Sequence, residues 1–342
     1  MSALCKGSIL LFLWSLAGCK GDAAPAGEAQ ASAAGGPRVA FLLSTLQEER
    51  YKKDQRYFED AAHRDGLASF TLSADNDNAR QLSQIEDALS RQAKVLVVQP
   101  TDSAAAGSYV AKAHEQGAKV VAYDRWIPGA DFYVAHDSYR VGVIQAEQAI
   151  AATGGKGRFV LLNGQSGHSV ASEIARGYHE TLAPYVASGA ITILVEKNHD
   201  AWSPEQALTT VEDAISKTKG DIVAVLANNS GMARGAVQAV QAAGLGDRRI
   251  FIAGADADAA NVNYVCEHKQ SVEVLKDIQP LAEQAALVAG QLVQGKTVEA
   301  KSTSHGVAVI AVPVVLVTAE NAKTLAIDSG FHAAAALPAC VK

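Results

Sequence analysis

The chain has 342 residues, 49% of them hydrophobic and 19% charged, with a formal net charge of −6. That length suffices for two lobes with their own cores, and that balance excludes an intrinsically disordered chain. An acidic surplus of this size offers no bulk attraction to nucleic acid, so a nucleic-acid partner is not expected.

The amino terminus reads as a processing signal. Lys6 precedes a short apolar run over residues 9–14, too short for a permanent membrane span, and Leu16-Ala17-Gly18-Cys19 follows. That tetrapeptide resembles a bacterial lipobox. The resemblance implies a signal peptide over residues 1–18, cleavage before Cys19 and lipid attachment to its sulfur; the alternative is an ordinary signal peptide with an incidental cysteine. Acyl chains on one residue anchor a protein because each buried methylene contributes about 0.8 kcal/mol. Residues 19–37, rich in Ala and Gly, then form a flexible tether. Cys5 leaves with the signal, so Cys266 and Cys340 remain in an export compartment where disulfides form. Two readings stay open: a bond that staples the C-terminal tail to the body, or two separate buried thiols.

From residue 38 the pattern is regular. Strands are expected at 38–44, 69–73, 94–99 and 119–123, the last opening the stretch KVVAYDR (119–125). Helices are expected at 51–64, at 78–92 with Leu82, Ile85 and Leu89 on one face, and at 103–116, closed by Gly117. A short extended piece at 132–135 follows, and the alternation resumes. It runs helix 140–152, strand 158–162, helix 172–186, strand 191–195, a helix capped by Ser203-Pro204, strand 221–226, helix 231–243, strand 250–253, helix 257–267, strand 271–275 and helix 280–294. A last apolar stretch, 307–317, is broken by Pro313, which cannot sit inside one central strand, so the chain is expected to cross between lobes there. Strands alternating with helices predict parallel sheets covered on both faces.

In such sheets the ligand crevice lies beyond the carboxyl ends of the strands. Polar and aromatic residues collect there. Gln47, Glu48, Glu49, Arg50 and Tyr51 follow the first strand, and Asp124 and Arg125 follow the fourth. In the second half come Asn163, Gln165, Ser166 and His168, then Asp200 and Trp202, then Asn228, Asn229 and Ser230, then Asp256, then Lys276 and Asp277. Carboxylates, amides and cations bond hydroxyl groups in a network, and aromatic faces cover apolar ring faces, so the collection suits a sugar. Each residue also has an ordinary structural explanation: Trp202 as core, Asn228 and Asn229 as helix caps, Lys276 as a solvated charge.

The chain resembles the periplasmic sugar-binding proteins of ABC transporters, most of all their D-xylose-binding members. The matching segments are LQEERYKKD (46–54), QLSQIE (81–86), VAYDR (121–125), PYVASG (184–189), DAWSPEQA (200–207), GADAD (254–258) and VLKDI (274–278). The resemblance implies a type I periplasmic-binding-protein fold: two Rossmann-like parallel-sheet lobes joined by three crossings, near Asp137, Asp277 and Pro313. The lobes would comprise residues 38–137 with 279–312, and 138–278 with 313–342. It implies a monosaccharide, D-xylose or a related pentose or hexose, held by Arg50, Asp124 and Arg125 from one lobe and by Trp202, Asn229, Asp256 and Lys276 from the other. Tyr51 stands where the family has a tryptophan. The segment NGQSGHSVAS (163–172) departs from the Asp-Asn-Asn type of loop expected there, which makes His168 and Ser169 further ligand candidates, with Asn228 from the altered Asn228-Asn229-Ser230-Gly231 run.

The implied protein is an extracytoplasmic substrate-binding subunit of a sugar importer, a monomer held at the cell envelope by its lipid and served by a membrane permease. A sensory variant would present the sugar to a chemoreceptor or sensor kinase. An enzyme is not expected. The run Gly164-Gln165-Ser166-Gly167 approaches a nucleophile elbow, but His168 occupies the position that needs Gly. No G-x-G-x-x-G follows the first strand and no H-E-x-x-H is present, so neither a dinucleotide cofactor nor a catalytic metal is expected. Asp75 and Asp77 lack the full calcium ladder and read as capping residues. A transcriptional regulator of this architecture would need a helix-turn-helix where the lipobox and tether stand.

Overall fold

The computed structural model describes residues 38–47, 49–300, 302–304 and 306–341. The expected signal peptide, Cys19 and the tether lie outside the described residues. So does Glu48.

The first sheet forms from runs that are apolar on both faces. Strand β1 (Arg38–Leu43) buries every residue after Arg38, and β3 (Ala93–Val98) and β4 (Lys119–Tyr123) are buried but for Lys94 and Lys119. Strands of this kind belong in the centre of a parallel sheet. Around them lie β2 (Ala68–Ser73) and β5 (Phe132–His136), with helices α1 (Glu49–Arg64), α2 (Asn78–Ser90) and α3 (Gly107–Glu115). The second sheet is built alike from β6 (Gly157–Asn163), β7 (Ile191–Asn198), β8 (Ala224–Ala227), β9 (Phe251–Ala255) and β10 (Val272–Lys276). Its helices are α4 (Ser138–Thr153), α5 (Ser169–Ala187), α6 (Pro204–Thr218), α7 (Ser230–Ala242) and α8 (Ala259–Cys266). Helix α9 (Ile278–Val293) then returns to the first sheet, where Leu281, Ala282, Ala285 and Val288 pack with Phe41, Phe58 and Val97. Strands β11 (Ser302–Ser304) and β12 (Val307–Val312) extend that sheet, and β13 (Val314–Val317) ends in the second.

The strand orders are β11-β12-β5-β4-β3-β1-β2 and β13-β10-β9-β8-β6-β7. Leaving β11 aside, the two lists are the same strand order written twice, differing in the direction of the last strand, β12 or β13. It is the doubly wound order whose switch points, here β1/β3 and β6/β8, open a crevice at the carboxyl ends of the strands.

The sheets are mixed rather than purely parallel. β13 runs antiparallel to β10, and β11 antiparallel to β12. The first follows from the crossing at Pro313: β12 runs parallel to β5 and ends at the cleft, so β13 enters the second lobe where its other strands finish. The other passages fall at Asp137 and Asp277. Each of these caps the helix that begins there, its carboxylate accepting the Arg140 or Gln279 backbone N–H. His136 Nε2 lies 3.0 Å from the Asp277 carbonyl, tying two passages together. Elsewhere Asp77 caps α2 and Ser203 caps α6 ahead of Pro204.

Helix α3 starts four residues later than the sequence pattern suggests. The Asp102 carboxylate accepts the N–H groups of Ala104 and Ala105 and holds residues 102–105 in a turn. Cys266 and Cys340 are bonded, which resolves the open choice in favour of the staple. The bond fastens the C-terminal segment over a cluster of Ala257, Val262, Leu275, Val317 and Leu337. No helix among the described residues is long and apolar enough to cross a membrane.

Candidate ligand-binding site

Residues that follow the strands of both sheets line a cleft of about 360 Å³. Small-molecule sites run from ~300 to ~1,000 Å³, so this one is sized for a small ligand.

The first-lobe wall is a buried ion cluster. Arg50 stands in the first turn of α1. Its Nη2 donates to Asp124 Oδ1 at 3.2 Å and its Nε to Asp54 Oδ2 at 3.4 Å. Its Nη1 lies 3.5 Å from Asp256 Oδ1 of the other lobe. Burial opposes the charge on Arg50, but Asp124 and Asp54 outweigh it and hold the guanidinium above its ordinary pKa. Burial also pushes the Asp54 carboxyl up to about 6, against the pull of Arg50 and a hydrogen bond from the Tyr123 hydroxyl. Asp124 goes the other way: burial disfavours its charge, yet Arg50, Lys276 and Arg125 together keep it well below the usual carboxylate range. Arg125 is fixed by donating to the Pro100 carbonyl at 2.8 Å and the Tyr51 hydroxyl at 3.0 Å.

The second-lobe wall is braced from behind, while its site residues share the left-handed backbone that Asp124 (φ of 60°) has in the first. Asp256 has φ of 99° and Ala257 φ of 56°; Ala201 and Trp202 have 49° and 58°. Non-glycine residues in this region store strain and persist only where neighbours impose it. Behind Asp256, the Glu273 carboxyl accepts the Ala257 N–H at 3.1 Å and lies 2.9 Å from Ser230 Oγ, which accepts the Asp258 N–H at 3.1 Å. Burial pushes the Glu273 carboxyl up to about 8. In front, Lys276 Nζ lies 2.6 Å from Asp256 Oδ1. Asn229 caps α7, its Oδ1 accepting the Met232 N–H at 2.9 Å.

Arg50, Tyr51, Asp124, Arg125, Trp202, Asn229, Asp256 and Lys276 all line the cleft. His168, Ser169 and Asn228 are not among the lining residues. Asn228 is fully buried; its side chain accepts the Gly164 N–H and donates to the Tyr178 hydroxyl. His168 and Ser169 are occupied by protein partners at the edge of the cleft. Sequence reasoning missed Arg234 and Asp258, which line the cleft and lie 3.7 Å apart. Asp258 is the second acid of GADAD, and Arg234 sits one turn beyond Asn229 and Ser230 at the cleft end of α7, so both were within reach of the strand-end argument.

The lining therefore carries four cations, Arg50, Arg125, Arg234 and Lys276, against three carboxylates, Asp124, Asp256 and Asp258, with Asp54 directly behind Arg50. Charges of both signs so nearly balanced leave little net charge for an anion or cation to answer. They offer many directional donors and acceptors instead, beside the rings of Tyr51 and Trp202. No group of three or more potential ligands for a metal occurs among the described residues.

Residues 39–297 match the family described as the periplasmic binding protein domain. The D-xylose-binding periplasmic protein of Haemophilus influenzae is 33% identical over 301 residues, covering 86% of this chain and 90% of that protein. Its Escherichia coli K12 namesake is 34% identical over 302 residues, covering 86% and 91%. Among solved structures, an ABC transporter solute-binding protein of Clostridium phytofermentans with bound β-D-glucose superposes with a TM-score of 0.80. It is 26% identical and covers 88% of this chain and 99% of its own.

Proposed function

Since the chain belongs to the periplasmic binding protein family, we propose that it is the extracytoplasmic substrate-binding subunit of a sugar ABC importer, closing its lobes around one neutral monosaccharide. The observation that carries this is the charge-paired, aromatic-walled cleft between the two sheets. A phosphorylated or acidic sugar would bring its negative charge up against the lining carboxylates Asp124, Asp256 and Asp258. Arg50, Asp124, Arg125, Asn229, Asp256 and Lys276 would bond the hydroxyls, and Tyr51 and Trp202 would cover the ring faces.

D-xylose is the first candidate, because two relatives at 33% and 34% identity carry that ligand in their names. The bound glucose of the solved neighbour keeps hexoses in view. A transmembrane permease would receive the closed form, and a lipid on Cys19 would hold the protein at the envelope surface. A sensory role, with the closed form meeting a chemoreceptor or sensor kinase, would use the same cleft. The deciding experiment is calorimetric titration of the purified protein with D-xylose, then ribose, arabinose, glucose, galactose and myo-inositol. Tight binding of one sugar supports the reading, and no heat across the panel sinks it.

A further inference from the structure

The loop between β6 and α5 makes its main contacts with the segment that carries Trp202. The Asn163 carbonyl accepts the His199 N–H at 3.0 Å, the Gly164 carbonyl accepts from Asn198 Nδ2 at 2.8 Å, and Gln165 Oε1 accepts the Ala201 N–H at 2.9 Å. A Cβ on Gly164 would fall 2.3 Å from the six-membered ring of Trp202, so the indole lies directly on that backbone. Trp202 Nε1 then donates to His168 Nδ1 at 2.8 Å. This bond needs a lone pair on Nδ1, which places the proton of the neutral imidazole on Nε2. Nε2 is 2.6 Å from the carbonyl of Thr101, a residue of the first lobe just beyond β3. Next to it, Ser169 Oγ accepts the Trp126 N–H at 2.8 Å and lies 3.4 Å from Ser103 Oγ, again across the cleft.

We propose that His168 is a positioning residue for ligand binding: with Ser169 it forms a latch that fastens the Trp202 wall to the first lobe when the lobes are together. The latch's own bonds do not involve ligand; its effect on sugar release rests on the reading of the cleft given above. The bonding partners belong to opposite lobes, so they are made in the closed form and lost in the open one. Bonds of that kind slow escape from a closed complex more than they speed entry. A protonated imidazole would turn an N–H toward the Trp202 N–H and break the chain of bonds. The charged groups around His168 are Arg125, which resists protonation, and Asp102 and Asp124, which favour it; burial is the strongest influence and keeps the pKa down at about 3. The latch is intact at neutral pH and yields on acidification.

Two variants test it. Gln at 168 spaces an amide oxygen and nitrogen as the ring spaces its two nitrogens, so H168Q can accept from Trp202 and donate to Thr101 without titrating; H168A can do neither. In sugar-free protein, small-angle X-ray scattering is expected to give H168A a larger radius of gyration than wild type, with H168Q close to wild type. Release of whichever panel sugar binds, followed by stopped-flow tryptophan fluorescence at neutral pH, is expected to quicken about tenfold in H168A and to change less than about twofold in H168Q. Acidification toward about pH 3 should quicken release from wild type more than from H168Q, in which Asp54 and His136 still titrate. Equal scattering and equal release in H168A and wild type would overturn the latch. So would an H168Q as impaired as H168A, because the ring itself would then be needed. If wild type binds no sugar, the sugar reading falls, while the scattering comparison still decides the latch.

Discussion

The two lobes repeat one strand order and differ in how they hold their halves of the cleft. In the first lobe Arg50, Asp54, Asp124 and Arg125 are all buried, and each is fixed by a charge or a hydrogen bond from another site residue or its neighbour. In the second, Trp202 and Asp256 ride on left-handed backbone as Asp124 does in the first, but each is braced from behind, Trp202 by Gly164 and His168, Asp256 by Glu273 and Ser230. The comparison teaches that one topology can present ligand groups in two ways. A mutual ion cluster cannot lose a member without exposing the rest to an uncompensated charge. A braced loop can lose a brace and shift.

The sharpest way to break the comparison is R50M. It removes the cation from between Asp54, Asp124 and Asp256 and leaves buried carboxylates facing one another, a change expected to cost about 3–5 kcal/mol of folding stability in urea titration. A variant as stable as wild type would show that the first wall is no interdependent cluster. D256A should act mainly on ligand. It strands Lys276 and one arm of Arg50, and should weaken sugar binding by about 2–5 kcal/mol in calorimetry while moving the urea midpoint less than R50M does. Reducing the Cys266–Cys340 bond, which spans 74 residues, should lower stability by about 2–4 kcal/mol. W202F keeps an aromatic face but loses the N–H to His168, and should cost about 1 kcal/mol of affinity.

A smaller effect distinguishes the braces by pH. The Glu273 carboxyl is raised from 4.5 to about 8, so it holds a proton in the folded state that it gives up in the unfolded one. Its contribution is full below about pH 4.5 and is lost as pH rises toward about 8; Asp54, raised from 3.8 to about 6, acts with the same sign over a lower window. His136 has the opposite sign. Burial, then Arg50 and Lys276, depress it to about 3, so its contribution is present above about pH 6.5 and lost as pH falls toward about 3. Melting temperatures taken across this range should fall by a few degrees on the alkaline side, and E273Q, which carries no titrating group there, should flatten that arm.

Much of the fold was legible because the central strands are buried on both faces and therefore read as unbroken apolar runs. Pro313 was legible as a crossing because it cannot bond within a strand, and β12 and β13 do lie in different sheets on either side of it. Three things were not. The antiparallel edge strands follow from where the chain re-enters a lobe, which is a fact of path rather than of local pattern. The late start of α3 depends on one carboxylate choosing backbone partners. The Cys266–Cys340 bond depends on two distant residues meeting. At the site, Gln47 and the eight residues that the family resemblance singled out all stand just after strands in the sequence, and the fold brings them to one cleft. His168 was legible as a ligand candidate only because its loop departs from the family's, and the direction in which its two nitrogens are used belongs to tertiary structure. Arg234 and Asp258 were passed over because they lie beyond Ser230 and Asp256, where the local pattern does not tell a cleft-facing side chain from a solvated one.

The passages at Asp137, Asp277 and Pro313 also set an order in time. A chain synthesised from its amino end has β1 to β5 in hand long before α9, which covers one face of their sheet, and β12, which pairs with β5. Between them come all five parallel strands of the second lobe. The first lobe to be made is thus the one that cannot be finished early. Until about residue 312 has emerged, Phe41, Phe58 and Val97 lack the helix they pack against, and β5 has an open edge. Such a chain stays unfinished for most of its synthesis and completes its first sheet only when nearly all of it is available at once.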